Sequence, residues 1–329
     1  MKAPRWDFPL LVLLAAAATP ASGQTVVPAV GPAGSGSPEA ASMPDFSGLW
    51  GRPYIPSFDP PLSGPGPVLN KSRWSQIFGT DGPLAPGTNT ALVSNPNKLV
   101  GDYTNPILKT QAAEAVKKHG EIELSGTAAP VPSGQCWPQP VPYIFSSNPG
   151  MLMLQQRDKI TIVYDTDHEV RHVRMNQPHP AQVTPSWYGD SVGRYEGDTL
   201  VIDTVGIRSD RPLAMVDQFG TPYTEALHVV ERYRLIDYQD AKEAQERGAK
   251  ENWRIPATDW APARNYRGKG LQLQFIVEDE GVFTMPWSAT ITYRRPLATE
   301  WPETVCAENT HEYYAGKNTG VPRADKPDF

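Results

Sequence analysis

The 329-residue chain carries 30 Lys and Arg against 36 Asp and Glu, a formal net charge of −6, with 20% charged and 39% hydrophobic residues. A modestly acidic surface without clustered Lys and Arg argues against nucleic acid and anionic membrane as partners, since both are held through such clusters. Past the first residues no segment holds the roughly 20 apolar residues that a spanning helix needs, so membrane insertion is not expected either.

In chain order, Lys2 and Arg5 precede an apolar run from Phe8 to Ala18 and the small residues Ala21, Ser22 and Gly23. This is the pattern of a secretory signal peptide over 1–23, and it predicts an exported protein, periplasmic or secreted. Residues 24–44, rich in Pro, Gly, Ala and Ser, read as a disordered linker. Of the 35 prolines, 21 lie between Pro20 and Pro149 and only 12 beyond Met151. Proline removes a ladder donor and fixes φ, so 45–150 cannot be a regular sheet or bundle. That region still holds Trp50, Tyr54, Trp74, Phe78 and Trp137, which predicts a Pro-rich segment wrapping over the main domain. One helix is expected within it, Ile107 to His119, with apolar residues at helical spacing and Gly120 at the stop.

From 151 to 310 the period changes to two. Eight runs rich in β-branched and aromatic residues (MLMLQQ, ITIVYD, VRHVRM, SVGRYE, TLVIDTV, ALHVVERYRLI, LQLQFIVE and SATITYRR) are separated by turn signals. The short connections favour antiparallel hairpins. The expected fold class is mainly β, an antiparallel eight-stranded lipocalin-like barrel able to hold one small ligand, with a two-sheet β-sandwich as the runner-up. The charged stretch Asp240 to Asn252 reads as a helix-prone, solvated insertion, and 311–329 as a C-terminal tail.

Two cysteines are present, Cys136 and Cys306. Exported proteins mature where thiols oxidise, so one disulfide is expected between them; closing so long a loop is worth about 4 to 5 kcal/mol in the chain-entropy model. The alternative is a pair of buried thiols. A zinc–cysteine site needs more sulfur than the chain supplies.

His168-Glu169-Val170-Arg171-His172 matches the zinc-protease pattern H-E-x-x-H, which would make the chain a zinc-dependent hydrolase. That chemistry requires a helix. Here the motif falls at a predicted hairpin, and on a strand the two imidazoles would stand about 13 Å apart, too far to share an ion. No metal and no cofactor is therefore expected.

His179 sits between Pro178 and Pro180 in a rigid extended segment just after a strand. A pre-organised imidazole of this kind suits a general acid or base, against the alternative of a loop histidine bonded to backbone. Asp190 lies between Trp187 and a strand start, where partial burial would raise its pKa. Glu196 and Asp198 read as turn residues. In ALHVVERYRLI the alternation puts His228 on one face and Glu231 on the other, so Glu231 is expected to be a buried carboxylate paired with Arg171 or Arg194. No serine-nucleophile signature is present.

The string Trp187-x-Gly189-Asp190-Ser191-x-Gly193-x-x-Glu196-Gly197-Asp198-Thr199-Leu200-Val201-x-Asp203-Thr204, followed by Glu225-Ala226-Leu227-His228-Val229-Val230-Glu231-Arg232, resembles a large group of mostly uncharacterised secreted bacterial proteins. Asp45-x-Ser47-Gly48-x-Trp50 and the two cysteines match that group as well. Tyr195 stands where the pattern expects Trp, and 240–252 is longer than usual. The resemblance implies one exported domain from about Asp45 to Asn309 and carries no agreed activity.

Together these readings predict an exported barrel that binds a small, partly apolar molecule and acts on it by cofactor-free acid–base chemistry, as a lyase, hydratase or isomerase. His179 would be the base, His228 the acid and Asp190 the orienting group. Trp187, Tyr188, Tyr223, Phe275 and Trp287 would line the ligand site. The competing class is a non-catalytic small-ligand carrier, which needs the lining but no poised histidine. No oligomeric state follows from the sequence.

Overall fold

The computed structural model describes residues 43–53, 57–72, 98–166, 169–251 and 260–301. The chain is mainly β. Nine strands form one barrel-like sheet in simple sequence order: β1 Gly48–Gly51, β2 Gly150–Gln155, β3 Lys159–Tyr164, β4 Val170–Met175, β5 Asp190–Glu196, β6 Thr199–Val205, β7 His228–Ile236, β8 Gly270–Glu278 and β9 Trp287–Tyr293. Gly51 and Arg294 exchange two backbone hydrogen bonds of 2.8 Å, so the first strand meets the end of the last and nearly closes the sheet.

All eight strands read from the two-residue period are present, and the eight-stranded antiparallel barrel is corrected in two respects. The ninth strand, β1, lies in the Pro-rich segment and is too short to show a period. It is held by its neighbours instead. Arg295 donates to the carbonyls of Ser47 and Leu49 at 2.9 Å and lies 3.7 Å over the Trp50 ring, while Gln155 bonds both the Phe46 N–H and the Pro44 carbonyl. Secondly, β4 and β5 pair in parallel, with Arg174 opposite Val192 and Met175 opposite Gly193. The connection 176–189 is far longer than a hairpin turn and brings the chain round to run in the same direction. The sandwich alternative is not what forms.

The helix α1 spans Thr110–Leu124 and runs past the predicted stop at Gly120. That glycine is there for close approach, because a Cβ on it would sit 3.1 Å from Val100 Cγ1. A short helix α2, Tyr143–Ser147, follows a turn over Ser133–Gln135. The charged insertion is the helix α3, Tyr238–Glu251; it is not fully solvated, since Ala241 and Ala244 are buried and Ala241 packs where a Cβ on Gly270 would fall. Cys136 is not a free thiol, and Cys306 lies outside the described residues, as do the expected signal peptide, residues 24–42 of the expected linker and the expected C-terminal tail.

Strand alternation sends one set of residues inward: Ile160, Ile162, Val173, Leu200, Ile202, Val229, Tyr233, Leu273 and Phe275 are all fully buried. The upstream segment adds rings to this interior, with Phe58 5.1 Å and Phe145 5.2 Å from the Phe275 centroid. Among these apolar groups lies an ion pair. Arg171 on β4 forks onto Glu231 on β7 with bonds of 3.0 and 2.5 Å, and their side chains are 2% and 0% exposed. The guanidinium also donates to Ser191 Oγ on β5 and Thr204 Oγ1 on β6, and Tyr233 donates to Glu231 at 2.8 Å. Burial opposes the charge on Arg171, but the Glu231 carboxylate outweighs it and raises its pKa. Of the two partners expected for Glu231, Arg171 is the one found; Arg194 pairs with Glu196 at 2.6 Å.

Replacing one partner of this pair leaves an uncompensated buried charge. Glu231→Leu should therefore destabilise the fold by about 3–5 kcal/mol, while the double change Arg171→Met with Glu231→Leu should recover most of the loss. Denaturant midpoints of the three proteins check this. Equal midpoints for wild type and Glu231→Leu would contradict it.

Candidate functional site

The same alternation that sends Arg171 and Glu231 inward turns Arg174, Asp190, Asp203, His228 and Glu278 to the outer wall of the sheet. Cross-strand registry then aligns them, with Val192 opposite Asp203, Asp203 opposite Val230, and His228 opposite Glu278. The sixth member comes from the β4–β5 connection. Asn176 turns the chain with φ 55°, and Arg174 reaches toward the Pro178 carbonyl at 3.4 Å, which sets His179 over the wall. The connection rejoins the sheet through the Ser186–Ile207 bridge. At Gly189, with φ +70°, a Cβ would lie 2.5 Å from the Val205 carbonyl oxygen, so only glycine allows Asp190 to open β5 at this point.

The result is a continuous polar row. Arg174 holds Asp190 through both guanidinium nitrogens, with Nη2 3.0 Å from Oδ2. His179 Nδ1 lies 2.6 Å from Asp190 Oδ2, and its Nε2 lies 3.2 Å from Asp203 Oδ1. His228 Nε2 reaches the same Asp203 oxygen at 2.9 Å, and its Nδ1 stands 3.5 Å from Glu278. Side-chain exposure is 24% for His179, 27% for Asp203 and 32% for His228, so solvent and solutes reach the row.

The electrostatics follow from these contacts. The hydrogen bond to Asp203 raises the His228 pKa against the opposing effect of burial. The reciprocal bond from His228 holds Asp203 below the ordinary carboxylate range, with His179 adding to it and burial opposing. Burial pushes Asp190 up, but the bonds from Arg174 and His179 outweigh it and its pKa is lowered.

His179, Asp190 and His228, the three residues singled out in the sequence, are thus brought together. The residue missed is Asp203, which joins the two histidines. Its signal was available, since in TLVIDTV it falls opposite to Leu200, Ile202 and Thr204 and so on the face of His228. The row sits on the outer wall rather than in a barrel mouth. Glu196 and Asp198 frame the β5–β6 hairpin, Glu196 taking ion pairs from Arg194 and Arg232.

The expected lining residues divide. Phe275 and Trp287 are interior, 5.9 Å apart and packed by Phe58, Phe145 and Phe283, so the space beside them is filled by the chain's own rings. Trp187, Tyr188 and Tyr223 lie near Asp190 and the end of β6. Arg208 and Arg211 stand 5.3 and 4.6 Å from the Trp187 centroid. Tyr223 accepts from Arg211 and donates to the Arg208 carbonyl at 3.0 Å. A cavity of about 30 Å³ lies apart from these, between α3, β9 and the residues Arg52, Pro53, Ser57 and Asp59, with room for about one water.

Within the H-E-x-x-H stretch, Glu169 to His172 is not helical. Val170 opens β4, Glu169 is buried and accepts from the Gln139 N–H at 3.0 Å, and His172 is exposed beside Thr161; His168 lies outside the described residues. Among the described residues no three His, Cys, Asp or Glu side chains are disposed to hold a metal ion. In the outer-wall row, both histidine Nε2 atoms are directed to the single oxygen of Asp203. No family model, curated protein or solved structure matches this chain.

Proposed function

We propose that the protein is an exported enzyme that carries out cofactor-free acid–base chemistry on a small molecule, as a lyase, hydratase or isomerase, with the outer-wall row as its reaction centre. The observation that carries this reading is the bridging of two solvent-reachable imidazoles by one carboxylate, with a second carboxylate behind the first imidazole. Asp190 accepts the Nδ1–H of His179 and selects the tautomer whose Nε2 takes a proton. A substrate C–H or O–H would replace the looser 3.2 Å contact to Asp203. His228, with its pKa raised by Asp203, holds the proton to be delivered to a leaving or developing oxyanion. After turnover Asp203, bonded to both rings, offers the path by which the proton returns. The filled interior favours this surface centre over a ligand held inside the barrel.

The substrate can be sought by incubating the protein with a bacterial metabolite extract and following consumed species by untargeted mass spectrometry. Once one is found, His179→Ala and His228→Ala should each lower kcat/KM by about 10²- to 10⁴-fold. Unchanged turnover in both variants would remove the enzymatic reading.

The role of Asp203 has its own signature. A raised folded-state pKa means that His228 keeps its proton as pH climbs past the unfolded value and loses it on passing the folded one. The associated stability is complete below the unfolded pKa and disappears above the folded one; for Asp203, with a lowered pKa, stability is lost as pH falls through its folded value. Asp203→Asn should lower the His228 pKa and move the basic limb of the rate profile to lower pH. NMR titration of the His228 ring protons measures the shift, and an unmoved midpoint would contradict the bridging role.

A further inference from the structure

Next to the row lies a cation without an acid. Arg208 is neutralised by Asp210 through contacts of 2.9 and 3.1 Å. Arg211, half-buried, has no carboxylate partner among the described residues. Its three hydrogen bonds go to neutral oxygens: Nε and Nη2 to Tyr223 Oη at 3.3 and 3.1 Å, and Nη1 to the Pro138 carbonyl at 3.3 Å. The guanidinium has five N–H donors, so two are left. Its plane is steadied by Trp187, and Tyr223, itself only 5% exposed, fixes its position from below. A partly desolvated, pre-oriented fork with spare donors and no counter-ion is matched by a planar anion that accepts two parallel N–H bonds.

We propose that Arg211, backed by Trp187 and Tyr223, is a binding site for the carboxylate of a small organic acid. One fork with two free donors suits a carboxylate better than a phosphate, whose greater charge calls for further cations, and the nearest one, Arg208, is already paired. The site is placed to serve the row. Arg211 stands 4.6 Å from the Trp187 ring centroid, and Trp187 precedes Asp190 by three residues, at most about 10 Å of chain. An acid held at Arg211 would present its neighbouring carbon toward His179, where abstraction of a proton α to the carboxylate is the fitting chemistry. As a substrate anchor the site rests on the acid–base reading above; as a binding site it stands without it.

Benzoate and its neutral isostere benzamide test this on the full-length protein. The probe signal is the Trp187 indole N–H resonance, assigned by its loss in Trp187→Phe. Benzoate should shift it saturably and benzamide should not. Arg211→Gln should weaken benzoate binding at least tenfold, with Arg211→Lys intermediate, while His179→Ala binds benzoate as the parent does. Equal effects of the two probes on the parent protein would overturn the assignment without reliance on any variant. So would undiminished binding by Arg211→Gln, loss of binding in His179→Ala, or displacement of benzoate by equimolar inorganic phosphate. Failure of the histidine variants to affect turnover would leave the benzoate result standing.

Discussion

The buried fork from Arg171 to Glu231 is the contact on which the barrel depends. Parallel pairing between β4 and β5 is short, with two registered residue pairs, and would be the weak seam of the sheet if backbone bonds alone held it. Arg171 crosses that seam. From β4 it reaches Ser191 on β5, Thr204 on β6 and Glu231 on β7, so one side chain fixes the mutual placement of four strands. Desolvating two charges is costly, and their attraction repays it only where the donors are well met; here four of the five Arg171 N–H groups have side-chain acceptors. Tyr164 and Tyr233, whose hydroxyls burial keeps protonated, close over the pair.

That interior arrangement determines what the outer wall can do. Arg171 and Arg174 are on the same strand with opposite orientation, as are Ser191 and Asp190, Thr204 and Asp203, and Glu231 and His228. The registry enforced inside by the ion pair is therefore the registry that aligns the row outside. A slip of one residue in any of these strands would exchange the two sets, burying the histidine row and exposing the fork. Structural and chemical carboxylates alternate along the same strands, and they are told apart by face.

Strand alternation made most of this legible in the sequence. The eight later strands, the segregation of Glu231 from His228, and the need of Glu231 for an arginine, with Arg171 one of two candidates, all follow from period two and the cost of burying a charge. The same alternation that placed Glu231 inside also placed His228 outside, so an outer-wall site was implied by the pattern even where a barrel mouth was expected. The face of Asp203 was readable from the alternation in TLVIDTV, but it stood among many acids, and cross-strand registry is what sets it beside His228. Neither the parallel seam nor β1 could be read. The first depends on the path of residues 176–189, and the second is a four-residue strand whose partners lie far along the chain, in β2 and at Arg294. Phe275 and Trp287 looked like a ligand lining because local pattern does not reveal that Phe58 and Phe145 occupy the space beside them.

The position of β1 bears on how the molecule reaches its final state. It pairs with β2 along its length and touches β9 only through Gly51 and Arg294, so without it both margins of the sheet present unpaired backbone groups. The strand that covers them is the first to emerge in synthesis and the one that must wait, since its partners on β9 and Arg295 come last. Until then the chain carries two strand edges able to recruit other chains, and docking of β1 pays the largest loop-closure entropy in the fold. The export proposed for this protein would suit such a latch, because closure then occurs once, with both margins present.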